Sequence, residues 1–451
     1  MQTGEQFMKS GYSFMDLFAA PGGFSLGMVL AGLNPQAAVD IDYHGIRTYI
    51  HNFREAMKFD TTGILEDLQK LPPEKLAKES GISKGDVDVI IGGPPCQGFS
   101  LAGRVKIANL AKNGKKKDVT NHNPRFIDDP RNILYKEFVR MIKYFQPKMF
   151  IMENVPGMMS HRNGKTVEEI IHDFQKIGYV IPRSETNENP RILNAADFGV
   201  PQLRRRIFFV GIHKDEPSLV EEFKWPVSTH ADPEAPNRQN PVDLGSNPDF
   251  PKKQYVTVGQ AIGDLPTPFV AKKAGMEDIP IPHVINPFSE YQKWARKRVP
   301  FWDGLIHNHL ARPHTERDIK TFTHMKEGDT WKDLPDEIKA WYGYRSDIFP
   351  DKFKKLIWNR PSWTITAHLQ KDGYRYIHPV QPRTLTPREA ARLQSFPDWF
   401  IFKGPRTAQY RQIGNAVPPL LAAALGLAII ATFEGWEVKK LWKKQLRILE
   451  R

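Results

Sequence analysis

A single thiol, a carboxyl group and a pair of guanidinium groups stand at the ends of short apolar runs in this 451-residue chain. The thiol is Cys96, the only cysteine, in the string GGPPCQGFS (Gly92 to Ser100) directly after the run Val87–Ile91. Two prolines fix φ and remove two backbone donors, so the turn cannot relax into a helix and the thiol sits on stiff backbone. The carboxyl is Glu153, which ends the run Lys148–Glu153 and is followed by Asn154 and Val155. The guanidinium groups are Arg204 and Arg206, which share one face of an extended strand while Arg205 takes the other. A thiolate beside an acid and a cation is a set for nucleophilic addition to a centre that must accept charge. A free thiol of pKa about 8.5 is mostly protonated at neutral pH, so Cys96 needs a polar, electropositive surround. Taken singly, each group also has a plain structural role: a small buried hydrophobe for the cysteine, a cap for Glu153, an ion-paired face for the arginines.

A second group lies near the N-terminus in DLFAAPGGFSLG (Asp16 to Gly27). Gly22 and Gly23 let the backbone turn tightly and approach a ligand before a helix begins at Phe24. Asp40 ends the second apolar run, followed by Ile41 and Asp42. A carboxylate at that place can accept both ribose hydroxyls of a nucleoside, or simply cap a solvated strand end. The dinucleotide pattern G-x-G-x-x-G is absent, which counts against a nicotinamide enzyme.

These groups need a scaffold that brings strand ends together. Residues 12 to about 225 alternate apolar runs (Ser13–Phe18, Ala37–Ile41, Val87–Ile91, Lys148–Glu153, Arg206–Ile212) with helical patterns such as Asn132–Phe145 and Thr166–Ile177. That alternation predicts an α/β fold, Rossmann-like and doubly wound, with its chemistry beyond the carboxyl ends of the strands. After Trp225 the texture changes. Residues 226–300 hold 12 prolines with weak periodicity, and helical patterning resumes only near Thr386. The expected division is a catalytic domain over 1–225, a smaller irregular domain over 226–400 and a helical segment over 401–451.

Bulk properties narrow the partners. A formal charge of +13 favours a polyanion, with nucleic acid first among the candidates. One cysteine excludes an intramolecular disulfide and any multi-cysteine zinc site, and no metal is expected. The N-terminal MQTGEQFMKSGYSF has no signal-peptide core. The apolar stretch Leu420–Thr432 is shorter than the about 20 residues that span a bilayer and reads as a buried helix opened by Pro418 and Pro419. A cytoplasmic, nucleoid-associated protein with no membrane partner is expected.

In this order, the blocks resemble those of the cytosine-5 DNA methyltransferases. GGPPCQGFS is similar to the family's nucleophile motif, ENV (Glu153 to Val155) and QLRRR (Gln202 to Arg206) to its later catalytic motifs, and QIGNAVPP (Gln412 to Pro419) to its last block. PRTLTPREAARLQSFPD (Pro382 to Asp398) is similar to the block that supports the recognition domain. The resemblance implies that Cys96 adds to cytosine C6, Glu153 contacts N3, Arg206 contacts O2 and Arg204 buttresses the site. It also implies that the Pro94 carbonyl reads the exocyclic amine, with Gln97, Ser100, Arg104 and Asn154 also on the substrate. S-adenosyl-L-methionine, leaving as S-adenosyl-L-homocysteine, is the implied cofactor. Its implied contacts are Asp16, Phe18, Ala19, Ala20, Gly22, Gly23, Asp40, Ile41, Asp67, Leu68, Pro95, Asn132, Leu134, Asn415 and Ala416. Residues 401–451 would then return to the catalytic domain. Two residues depart from the family pattern: Ala20 stands where glycine is usual and Asp40 where glutamate is usual. Asp60 competes with Asp67 for the third acidic position.

The implied substrate is double-stranded DNA, from which the target base must be flipped at a cost of a few kcal/mol. The segment between Ser100 and Asp128 carries Arg104, Lys106, Lys112 and Lys115–Lys117, which suit either phosphate contact or a solvated run. In the recognition position, YQKWARKR (Tyr291 to Arg298) and KFKKLIWNR (Lys352 to Arg360) mix cations with aromatics, as nucleic-acid surfaces do. The two-cysteine RNA enzymes do not fit a chain with one cysteine, and the CFT motif of the tRNA-methylating relatives is absent. With no chromatin module ahead of the catalytic blocks, the expectation is a monomer acting on DNA in a restriction-modification or other defence system, with cognate restriction or defence proteins as its partners.

Overall fold

The computed structural model describes residues 10–95, 134–183, 188–232, 250–273, 275–342, 352–371 and 373–450. Five parallel strands form the first part of the main sheet: β1 (Ser13–Leu17), β2 (Asn34–Asp40), β3 (Thr62–Leu65), β4 (Val89–Gly92) and β5 (Met149–Asn154). Then follow β6 (Tyr179–Val180), β7 (Arg191–Asn194), β8 (Gln202–Leu203) and β9 (Arg205–His213). The spatial order is β3-β2-β1-β4-β5-β9-β6, with β7 also on β9. β9 runs antiparallel to β5, β6 and β7. β8 stands apart and pairs with Ser362–Trp363.

Alternation along the strands sorts side chains into two layers. Phe14, Val89, Ile91, Ile151, Phe208 and Val210 face a core shared with the helix α1 (Gly23–Ala31) and the helix Pro419–Phe433. Met15, Ile90, Phe150, Met152 and Phe209 face the opposite core. It is closed by α3 (Pro73–Ser80), α4 (Leu134–Phe145) and α5 (Lys165–Lys176); α2 (Tyr43–Tyr49) follows β2. Helices on both faces match the doubly wound α/β reading. Short strands such as β3 and β7 lack a sequence signal because four residues cannot establish a period.

Helix Pro419–Phe433 begins with Pro419 at its first turn, where a missing amide costs nothing. It crosses α1 so closely that a Cβ on Gly27 would fall 2.2 Å from Ala422 Cβ. The helical stretch Arg406–Phe433 is long and apolar enough to cross a membrane, yet 94% of its most apolar window is buried inside the protein. Extended backbone at Ala416 and Pro418 divides that stretch into two helices. Burial against α1 accounts for its apolar character.

Residues 226–400 use short helices stabilised by reciprocal caps at Thr257, Ser289 and Thr315. Tyr291, Trp294 and Trp302 join the core that covers the α1 face, while Phe322, Trp331, Phe353 and Ile377 form a smaller separate cluster. A wholly buried ion cluster lies within this region. Arg392 bonds both oxygens of Asp398, at 2.6 and 2.7 Å, and reaches Asp264 at 3.1 Å.

Candidate active site at the carboxyl ends of the strands

Leu17 of β1 lies beside Val39 on one side and Gly92 on the other, and Gly92 lies beside Met152. The segments after β1, β2, β4 and β5 therefore emerge at one edge. The chain winds from β1 to β2 and β3 in one direction and from β4 to β5 in the other. Loops that part in this way leave a crevice, and it falls between Phe18–Gly23 and Gly93–Pro95.

On the β5 side, Arg206 Nε meets Glu153 Oε1 at 2.7 Å, with both side chains largely buried. Glu153 is opposite Phe208 in the ladder, so Arg206 is its diagonal neighbour. Burial lowers the Arg206 pKa, and the adjacent Glu153 carboxylate opposes that shift. A Cβ on Gly93 would lie 3.1 Å from Glu153 Oε2, so the carboxylate rests against the backbone that leads to Cys96. Asn154 Nδ2 donates to the Pro94 carbonyl at 3.2 Å, and Asn154 Oδ1 accepts from the Val155 amide at 2.8 Å. Among the described residues the Pro94 oxygen thus has one hydrogen-bond partner, Asn154.

Arg204 points elsewhere. Its guanidinium is 1% exposed and donates to the carbonyls of Ile365 (2.7 Å), Ala416 (3.0 Å) and Gly414 (3.3 Å). Burial pushes its pKa well down, repulsion from Arg206 adds to this, and Glu153 opposes it.

On the β1 side, Asp40 Oδ2 accepts the Ala20 amide at 3.0 Å and Oδ1 accepts the Asp42 amide at 2.7 Å. Ile41 is 69% exposed and Leu65, paired with Asp40 across β2 and β3, is 47% exposed. An acid flanked by uncovered apolar side chains suits a ligand with a flat face and hydroxyl groups. Asp16 is sealed beneath the loop with Oδ2 accepting from Ser25 Oγ at 2.5 Å. Burial pushes its carboxyl up to about 8, against the Ser25 hydrogen bond and with help from Asp40. Gly22 has φ 103°, which glycine adopts without strain. A Cβ on Gly23 would lie 2.4 Å from the Val417 carbonyl and 3.0 Å from Ala416 Cβ, so the C-terminal block packs directly on this loop.

The model of the C-5 cytosine-specific DNA methylase family matches residues 12–431 of this chain. The chain belongs to that family. It is 35% identical over 418 residues to the type II methyltransferase M1.HphI of Haemophilus parahaemolyticus, covering 93% of this chain and 86% of the relative. It is 36% identical over 440 residues to the type II methyltransferase M.DdeI of Desulfomicrobium norvegicum, covering 94% and 89%. Among solved structures, a prophage-encoded E. coli protein assigned as a DNA modification methyltransferase superposes with a TM-score of 0.65 at 26% identity, covering 94% of this chain and 99% of that one.

Within this C-5 methylase, the other expected residues divide into three groups. Pro95 and Asn415 are exposed, Leu134 is half-buried, and Ala19 and Ala416 are buried near the glycine loop. Asp67 is half-buried with Oδ1 holding the Gln69 amide at 3.0 Å, whereas Leu68 is 3% exposed and its side chain joins the core beneath the sheet. Cys96, Gln97, Ser100, Arg104 and Asn132 lie outside the described residues. Among the described residues, no three His, Cys, Asp or Glu side chains are grouped to hold a metal ion.

Two expectations for the recognition region are corrected. Lys355 is buried and its Nζ donates to the carbonyls of Met325 (2.8 Å) and Phe322 (3.0 Å). Arg296 is held by the Ile285 carbonyl at 2.7 Å and by Asp264 at 3.3 Å. Tyr291, Trp294 and Phe353 from the same clusters are core residues. In a proline-rich region with little regular structure, aromatics supply the core, and buried Lys355 and half-buried Arg296 satisfy loop carbonyls. Aromatic–basic composition alone does not separate that role from DNA contact.

Sequence reasoning also missed Gly45 and Arg411. A Cβ on Gly45 would stand 2.3 Å from Ala20 Cβ. Arg411 pairs with Asp42 at 2.9 Å, fastening the last block to the end of β2. Neither residue carries a spacing signal, because both act across long sequence separations.

Proposed function

We propose that this chain transfers a methyl group from S-adenosyl-L-methionine to C5 of a cytosine flipped out of double-stranded DNA, through a covalent bond between Cys96 and C6. The observation that carries the reading is the Glu153–Arg206 pair at 2.7 Å beside Gly93, at the same sheet edge as the glycine loop and Asp40.

The cofactor-side residues fit this cofactor. Asp40 uses one lone pair of each oxygen on backbone amides, which leaves acceptor capacity for two ribose hydroxyls. Ile41 and Leu65 offer apolar surface to the adenine, and Gly22 and Gly23 keep side chains out of the loop beside the methionine moiety. When bound, S-adenosyl-L-methionine supplies an electrophilic methyl sulfonium.

The chain's own residues make the ring reactive toward it. Cytosine C5 is a poor nucleophile. Addition of the Cys96 thiolate forms an Sγ–C6 bond and pushes electron density to C5, while Glu153 at N3 and Arg206 at O2 stabilise the charge that develops on the ring. After methyl transfer, the C5 proton leaves and the Sγ–C6 electron pair returns to sulfur, which restores the aromatic ring. Asn154 fixes the Pro94 carbonyl next to the exocyclic amine. We assign residues 1–225 and 401–451 to catalysis and 226–400 to recognition of a specific duplex site. Similarity to two type II methyltransferases supports a restriction-modification role.

Duplex DNA carrying 5-fluorocytosine at the target tests the covalent step. Fluorine cannot leave as a proton does, so wild-type protein with S-adenosyl-L-methionine should form a detergent-resistant complex. Cys96→Ala should form none while still binding DNA. Complete dissociation of the wild-type complex in detergent would exclude addition at C6.

A further inference from the structure

The helix Arg406–Asn415 ends without the glycine turn that closes many helices. The chain leaves it at Ala416 in extended backbone, φ −62° and ψ 146°. Terminal carbonyls then need donors from elsewhere. Arg204 donates to Gly414 O at 3.3 Å and Ala416 O at 3.0 Å; Gln394 Nε2 donates to Ile413 O at 2.6 Å and Ala416 O at 3.3 Å. Gln202 closes the circuit, donating to Gln394 Oε1 at 2.9 Å and accepting the Ile365 amide at 2.8 Å, while Arg204 takes the Ile365 carbonyl at 2.7 Å. Gln202, Gln394 and Ile365 are 0% exposed and Arg204 is 1% exposed. A cation at a helix C-terminus also meets the negative end of the helix dipole.

We propose that Arg204 and Gln394 are positioning residues for the cofactor pocket: they hold the Asn415–Ala416 turn against the glycine loop, and Arg204 makes no contact with the base. The inference rests on the S-adenosyl-L-methionine reading above. Ala416 and Val417 press on Gly23, at 3.0 and 2.4 Å from the place a Cβ would take there. Release of the turn therefore moves both Asn415 and the loop that faces the methionine moiety. Arg206 has the complementary role. Its side chain is 14% exposed and engages Glu153, whereas Arg204 is enclosed by three carbonyls from two segments, residue 365 and residues 414–416. Two arginines two positions apart thus serve opposite ends of the reaction: Arg206 the ring, Arg204 the cofactor.

Calorimetric titration of S-adenosyl-L-homocysteine into the full chain, paired with single-turnover methylation at saturating cofactor, separates the roles. Arg204→Met and Gln394→Met should each weaken binding by roughly 10- to 100-fold, the range for losing hydrogen bonds to a buried partner. Arg204→Lys should recover part of the loss because it keeps the charge. Arg206→Met should bind like wild type and fail in single turnover. If Arg204→Met does not fold, Arg204→Lys and Gln394→Met carry the test. Wild-type affinity in those two variants, with the rate at saturating cofactor collapsed in Arg204→Lys, would return Arg204 to the base site and overturn the proposal. No binding of S-adenosyl-L-homocysteine by the wild-type chain would instead overturn the cofactor reading, and this proposal with it.

Discussion

Glu153 Oε1 and Arg206 Nε lie 2.7 Å apart in a largely buried setting, so the acid and the cation assigned to N3 and O2 are already paired before any base arrives. Each holds the other in place, which is the preorganisation that makes electrostatic stabilisation effective.

Glu153→Gln should therefore lower the single-turnover rate by about 10²- to 10³-fold and leave S-adenosyl-L-homocysteine affinity unchanged. Rapid-quench methylation at saturating cofactor, alongside calorimetry, checks both halves. An affinity defect with a normal rate would assign Glu153 to structure.

Gly45 leaves the space that the Ala20 methyl group occupies. Gly45→Ala would bring two methyl carbons to 2.3 Å and force the Ala20 loop to shift. Affinity for S-adenosyl-L-homocysteine should fall, and Ala20→Gly in the same chain should restore it. A double variant as weak as Gly45→Ala alone would show that the two positions are not coupled.

Asp16 supplies a pH signature. Burial holds its carboxyl near 8, above the about 3.9 of an unfolded chain. Between those values the unfolded state has released a proton that the folded state keeps, so stability falls as pH rises. This contribution is complete below about 4 and lost as pH passes through about 8. Thermal midpoints of cofactor-free Asp16→Asn should gain on wild type steadily from pH 5 to pH 8. Parallel curves would mean that Asp16 does not resist ionisation.

Asp398 meets Arg392 at 2.6 and 2.7 Å with no solvent exposure. Asp398→Asn should cost about 3–5 kcal/mol by leaving a buried cation under-compensated, whereas Glu66→Gln at the exposed Lys75 pair should change little. Urea denaturation of both variants gives the comparison. Equal midpoints would remove the buried cluster from the stabilising interactions.

The groups proposed for catalysis stand out in the sequence because each sits at the end of an apolar run, and strand ends are where such a sheet gathers its chemistry. Asp40, Glu153 and Arg206 were singled out by that placement together with the motif resemblance, and the structure sets all three at the main sheet's edge. Arg204 shared their motif, and its strand-face alternation fitted a place beside Arg206. Its carbonyl partners come from residues 365 and 414–416, which no local pattern links to it. Gly45 was invisible for the same reason. Lys355 resembled a surface cation because composition does not record which carbonyls a loop buries. β3 and β7 were missed because TGIL and RILN are too short to show a period and lack the unbroken apolar run that marks β4.

Nucleoside analysis of the DNA product addresses the proposed activity with the fewest intermediate assumptions. Duplex DNA incubated with the protein and S-adenosyl-L-methionine carrying a deuterated methyl group is digested to nucleosides and resolved by mass spectrometry. The label should appear in 5-methyldeoxycytidine and should be lost with Cys96→Ala. Label in N4-methyldeoxycytidine or N6-methyldeoxyadenosine, or undiminished 5-methyldeoxycytidine from Cys96→Ala, would refute cytosine-C5 transfer through a Cys96 adduct.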